Sequence, residues 1–336
     1  MSTAPRLGRR HLLHATAAAA AAASLRPFIS AAQTPQPVPL ADATFTNREA
    51  TADELVHAWF LLLSATGAET GSLGTTAEQD AAAMAFIQPY LDAAFQLQRA
   101  NGERYVATTY VPADIDLFAI EGLIETRPTE NLIVARYGVS APGSSTADTN
   151  LVLSDELRPR LTSFRWDDTA AQWKVLTHAN FNVPIATICG GELLVQPPHP
   201  AVPTSEEDST LGLNLMLALR DAILAGNLTP LLDQQTQIQH ASGMGITTSA
   251  ELVPAEYKYR SFEYSDLLVT RNEDVLAISY LGKPDGLVLG FEAVDEWHPR
   301  LIAFRRLEEG QWRVIASANF VNVKAVPAGV ECVAAG

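Results

Sequence analysis

The sequence predicts an α+β protein made of two tandem domains, each with its helices ahead of a mostly antiparallel sheet. Three observations carry this reading. Pro159-Arg160-Leu161, Phe164-Arg165, Gln172-Trp173, Val175 and Ala179-Asn180-Phe181 recur as Pro299-Arg300-Leu301, Phe304-Arg305, Gln311-Trp312, Val314 and Ala318-Asn319-Phe320, eleven identities in 22 paired positions. A repeat of about 140 residues is a duplicated domain, because solenoid units run about 20–50 residues. Between the copies, the four prolines of Gln196-Pro197-Pro198-His199-Pro200-Ala201-Val202-Pro203 favour an extended connection. Within each copy, helical periodicity precedes strand-like alternation.

The chain opens with Arg6, Arg9 and Arg10, a small-residue run from Ala15 to Ala23, and no acid before Asp42. That order is the pattern of a signal peptide, expected over residues 1–32 with cleavage near Ser30-Ala31-Ala32. Its apolar run falls short of the roughly 20 residues that span a bilayer, so no membrane anchor remains after processing. Arg9-Arg10 followed by His11-Leu12-Leu13 resembles the twin-arginine export signal, and Arg26 favours that route, with general secretion the alternative. The expected location is periplasmic or secreted. Residues 33–44, with Pro35, Pro37 and Pro39, read as a linker, and the domains as 45–190 and 205–333 with a Pro-rich linker at 191–204.

Thr51-Ala52-Asp53-Glu54 is a capping-box sequence ahead of Leu55, Ala58, Trp59, Leu62 and Leu63 on one helical face. A second helical stretch spans about 76–100, restarting at Pro89 and ending at Gly102. In the second copy, Glu206-Glu207-Asp208 starts a helix that stops at Gly226-Asn227, and another runs from Thr229-Pro230 to Gly243. The upstream echo is Pro89-Tyr90-Leu91-Asp92, Gln96 and Gly102 against Pro230-Leu231-Leu232-Asp233, Gln237 and Gly243. Strands follow, among them Leu301 to Arg306 and Trp312 to Phe320, joined by a turn at Glu308-Glu309-Gly310.

Helices first, then a proline-started strand, a tight turn and Trp-basic-Val-x-x-x-Ala-Asn-Phe, resembles the nuclear transport factor 2-like superfamily, with its ketosteroid-isomerase-like and polyketide-cyclase-like (SnoaL-like) members. The resemblance covers both copies. It implies two tandem cone-shaped domains, each with N-terminal helices packed on a curved sheet whose open end holds an apolar ligand. It also implies pairing through the sheets, which a duplicated chain supplies internally as a pseudo-dimer.

Strict alternation along the last strand puts Trp173, Val175, Thr177, Ala179 and Phe181 on the helix-facing side, and Trp312, Val314, Ala316, Ala318 and Phe320 likewise in the second copy. Large ends and small centres make Trp173, Thr177, Phe181, Trp312, Ala316 and Phe320 the candidate ligand wall; a core filled by helix side chains is the alternative. The same alternation places His178 with Lys174 and Asn180 on the opposite side, toward the other domain or solvent. Isomerases of the resembling family use an aspartate base and a tyrosine donor in an apolar cone; the candidates here are Asp116, Tyr137 and His178. Asp116 and Tyr137 correspond to Lys258 and Tyr280, and Glu121 to Glu263.

No zinc, dinucleotide, phosphate-loop or nucleophile-elbow motif occurs, so neither a metal nor a cofactor is expected. With 23 basic and 38 acidic residues the net charge is −15, and removing the four arginines of residues 1–32 takes it to −19. Like charge argues against nucleic acid and anionic membranes as partners. Cys189 and Cys332 allow one bridge or two separate thiols. The expected function is binding of a small apolar molecule or a protein partner without catalysis, with a lyase or isomerase in the first domain as the alternative.

Overall fold

The computed structural model describes residues 37–70, 77–100, 102–112, 115, 117–141, 157–181, 204–241, 243–252, 258–288, 291–292 and 296–320. Residues 1–32, where an export signal is expected, both cysteines, the proline-rich connection and Asp116 lie outside them.

In the first domain α1 (Pro37–Phe45), α2 (Ala52–Thr70) and α3 (Ala77–Ile87) precede β1 (Leu91–Arg99), β2 (Arg104–Val106), β3 (Ala119–Thr129), β4 (Leu132–Ser140), β5 (Arg158–Asp167) and β6 (Gln172–Asn180). The second has α4 (Glu206–Leu224), then β7 (Leu232–His240), β8 (Gly245–Ile246), β9 (Lys258–Asn272), β10 (Val275–Val288), β11 (Phe291–Glu292), β12 (His298–Arg306) and β13 (Trp312–Asn319). The strand order of the first sheet is β2-β1-β6-β5-β4-β3. The second repeats it as β8-β7-β13-β12-β10-β9, with β11 an added short edge partner of β10. Each sheet is antiparallel apart from one parallel pairing, β1 with β6 and β7 with β13. Two sheets of one topology are what the sequence repeat demands.

The predicted helix starts hold. Thr51 N–H donates to Glu54 Oε2 at 2.8 Å and Glu54 N–H to Thr51 Oγ1 at 3.3 Å, a reciprocal capping box. Ser205 Oγ caps α4 by accepting from Asp208 N–H at 3.0 Å. Two expectations fail. The linker at 33–44 carries α1, whose Ala41 and Phe45 are buried in the first core; a proline in a helix's first turn removes an N–H that would have no helical acceptor anyway. The helices expected through residues 91–100 and 232–243 are strands β1 and β7. Pro89 and Pro230 close only a single 3-10 turn, and Gly102 (φ 97°) and Gly243 (φ 85°) turn β1 into β2 and β7 into β8 rather than cap helices.

Trp59, Leu62 and Leu63 of α2 share an apolar cluster with Ile133 and Ala135 of β4 and Val175 of β6. In the second domain Met216, Leu219 and Ile223 of α4 cluster with Val269, Ile278, Ile302 and Phe304. The helix approaches β9 so closely that a Cβ on Gly212 would stand 2.5 Å from a Val269 methyl. Gly212→Ala, normally worth about 1 kcal/mol of helix propensity, is therefore expected to destabilise by about 1–3 kcal/mol through overpacking. Urea titration of the variant, and its recovery by Val269→Ala, checks this.

A third cluster joins the sheets: Val134, Leu161, Leu176, Ala179 and Phe181 of the first pack with Val275, Leu301, Ala303, Ile315, Ala318 and Phe320 of the second. The contacts are reciprocal. Gln96 Nε2 donates to Leu268 O (3.0 Å), Thr270 Oγ1 (2.9 Å) and Ala277 O (3.0 Å), and Gln237 Nε2 donates to Ile124 O (3.1 Å), Thr126 Oγ1 (3.1 Å) and Val134 O (2.8 Å). Residue i meeting j while j's counterpart meets i's is the signature of a two-fold contact. The repeated Asp92 and Asp233 accept from the repeated Arg165 (3.2 Å) and Arg305 (2.6 Å), and Asn272 of the second domain also donates to Asp92 at 3.0 Å. Phe181 and Phe320 stack with centroids 4.3 Å apart.

Candidate functional site

The interior of each domain is set by a bulge in its last strand. Along the β5–β6 pair, Ser163 faces Thr177 but Phe164 faces Val175, so Leu176 is an extra residue; β13 does the same at Ile315, between partners Ala303 and Phe304. An inserted residue reverses the side to which every later side chain points. Trp173 and Val175 accordingly lie in the first core and Val314 in the second, with half-buried Trp312 against it, but beyond the bulge the faces exchange. Ala179, Phe181, Ala316, Ala318 and Phe320 join the cluster between the sheets, and Thr177 bonds Ser163 at 2.5 Å on that side. The proposed wall of Thr177, Phe181, Ala316 and Phe320 is thereby corrected: these side chains face the seam between the sheets, not the helix-facing interior. His178, expected on the other side, points inward instead.

In the first interior the His178 ring lies 6.0 Å from Trp59 and 6.3 Å from Phe60. Thr162 Oγ1 is 2.9 Å from His178 Nδ1 and 2.6 Å from Tyr137 Oη, so one hydroxyl links the imidazole to the phenol in a hydrogen-bonded relay. Two of the three acid–base candidates thus meet through a hydroxyl that sequence reasoning missed. Their chemistry is muted. Burial, with Arg160 and Arg99 adding positive charge, holds His178 well below its ordinary value, and burial drives the Tyr137 phenol upward. A general base works best with a pKa near the operating pH, which His178 does not have. Tyr110, stacked on Trp59 at 6.2 Å, and the buried Arg99–Glu103 pair lie in the same interior. Glu121 and Glu263 are exposed.

The second interior carries smaller groups at matching positions: Thr236 for Phe95, Ile246 for Tyr105 and Ser317 for His178. A cavity of about 70 Å³ remains there. Leu219, Ile223, Leu228, Ile302 and Val314 give it an apolar wall, and Tyr259, Tyr280, His240, Arg300, Ser317 and Asn319 a polar one. The Tyr280 phenol is pushed up to about 12 by burial despite Arg300, and His240 is pushed down to about 3 by burial and by Arg300 and Arg136. Both are neutral near pH 7. Arg300 was readable: alternation along β12 places it with Ile302 and Phe304, an odd charge on an apolar face. Among the described residues no cluster of His, Cys, Asp and Glu can hold a metal ion, and no helix is long and apolar enough to cross a membrane.

No family model and no curated protein matches the chain. Among solved structures it is similar to nuclear transport factor 2-like and ketosteroid-isomerase-like proteins. A nuclear transport factor 2-like protein from Cytophaga hutchinsonii is 21% identical, with 34% of this chain and 97% of that one covered and a TM-score of 0.29. Another from Rhodospirillum rubrum, described as of unknown function in nutrient uptake, is 22% identical over 33% of this chain and 98% of that one, TM-score 0.29. A ketosteroid-isomerase-like protein from Shewanella frigidimarina is 14% identical over 31% and 90%, TM-score 0.27. The division into two like domains rests on the two matching sheets themselves.

Proposed function

We propose that this is an exported protein of two cone-shaped domains that binds a small, largely apolar molecule in the second domain without transforming it. The observation that carries the reading is the cavity bounded by Leu219, Ile223, Ile302 and Val314. Drug-sized ligands need roughly 300–1,000 Å³, and an apolar cavity near 150 Å³ takes benzene. A space of about 70 Å³ therefore suits a ligand of a few non-hydrogen atoms, not a steroid. The first domain serves as internal partner, its sheet covering the outer face of the second. Export rests on the basic, apolar and small-residue order of residues 1–32.

Native mass spectrometry of the exported chain, purified without denaturant, is expected to show an added small mass that vanishes on denaturation. Ile302→Trp, which fills the cavity, should lose it. If both proteins carry the same complement, or neither carries any, the reading fails. A second reading, acid–base chemistry of the isomerase type in the first domain, is favoured by the Tyr137–Thr162–His178 relay; it requires His178→Asn to abolish a turnover that wild type displays.

A further inference from the structure

Of the buried arginines, Arg99 is matched by Glu103 and Arg165 by Asp92, and the half-buried Arg305 is matched by Asp233. Arg300 differs. It is 5% exposed, it lines the second-domain cavity, its Nε has no hydrogen-bond partner, and no carboxylate among the described residues pairs with it. A guanidinium stays protonated when buried, so the cost of removing it from water, several kcal/mol for an ion, is not relieved by loss of the proton. Its surroundings supply polarity without charge: Tyr259 and Tyr280 remain protonated phenols, and His240 remains a neutral imidazole. Among its described lining residues the cavity therefore presents one fixed positive charge, the hydroxyl and amide groups of Ser317 and Asn319, and aliphatic side chains.

We propose that the second-domain cavity binds a short-chain monocarboxylate, with the carboxylate on the Arg300 guanidinium and the alkyl tail against Leu219, Ile223 and Val314. This rests on the small-molecule reading above and narrows its ligand to an acid. A planar guanidinium matches a carboxylate through paired N–H donors. A monoanion balances the single charge, whereas a dianionic phosphate would leave an uncompensated negative charge in an apolar wall. The volume limits the tail to a few carbons.

Titration calorimetry of the full exported chain with sodium butyrate and with butyramide, its uncharged counterpart of equal size, tests the proposal. Butyrate is expected to bind at least tenfold more tightly than butyramide. Arg300→Met should bring butyrate down to the butyramide level, and Arg300→Lys should retain part of the preference. The methionine variant is expected to fold with a Tm at or above wild type, since it removes an unpaired buried charge; should it not fold, the butyrate–butyramide contrast in wild type decides the matter. Equal binding of the two, lost from both in Ile302→Trp, overturns the carboxylate and leaves a small-molecule site. Undetectable binding of both, with a retained mass still seen in native spectra, overturns the carboxylate as well. Undetectable binding with no retained mass removes both readings together.

Discussion

Lowering the pH from about 7.5 to about 5 is expected to destabilise the folded protein by several kcal/mol, before the carboxylates begin to titrate. The cause is three buried histidines. His178 lies well below the ordinary value, through burial and then the charges of Arg160 and Arg99; His240 is pushed to about 3 and His298 to about 4, through burial and then Arg300. Each stays neutral in the folded chain. In the unfolded chain each takes up a proton near pH 6.5, so below that pH the unfolded state binds more protons and gains stability relative to the native state. The native state's full advantage is thus present above about 6.5 and declines continuously as the pH falls toward the folded values. Each histidine contributes about 1.4 kcal/mol per pH unit in that window, so the three together approach about 4 kcal/mol per unit, against total stabilities of about 5–15 kcal/mol. Urea midpoints between pH 7.5 and 5 should fall steeply, and His178→Asn should remove about a third of the slope. A flat midpoint over this range would show that the histidines are not held neutral.

Phe181→Ala or Phe320→Ala is expected to cost about 3–5 kcal/mol, the range for removing a buried phenylalanine. Both rings are within 2% of full burial and stack on each other where the two domains meet. Their effects should be strongly non-additive, because either truncation already removes the shared contact. The double variant measured beside the two single ones, by chemical denaturation, gives the coupling. Additive losses would mean that the rings pack on their own domains rather than on each other. Neither substitution touches the second-domain cavity, so ligand retention by the folded fraction should persist.

Much of this architecture was legible in the residues. The 140-residue repeat required two domains of one topology, and the structure shows where most repeated residues work. Gln96, Ala179 and Phe181 with their counterparts, and Asp92 and Arg165, serve the contact between the sheets, Arg160 and Arg300 are buried, and the capping box at Thr51 starts a helix where periodicity placed it. Two kinds of reading failed. Residues 91–100 and 232–243 read as helix because a proline start and a glycine stop bracket them; hydrogen-bonding partners on both sides of β1 and β7 override those signals. The ligand wall and the direction of His178 were misassigned because alternation was carried through the whole of β6 and β13.

By itself the sequence determined the duplication, the placing of helices ahead of the sheet, the acidity of the chain and the absence of familiar metal, nucleotide and nucleophile motifs. It also held the odd arginine on an apolar strand face. Only the tertiary structure decided which face of the last strand is inside, since a single bulged residue, Leu176 or Ile315, is defined by its partner across the sheet and leaves no mark along its own chain. The same holds for the cavity. Its lining brings together Ile223 of α4, Tyr280 of β10, Arg300 of β12 and Ser317 of β13, and contiguity in space is a property that no one-dimensional pattern records.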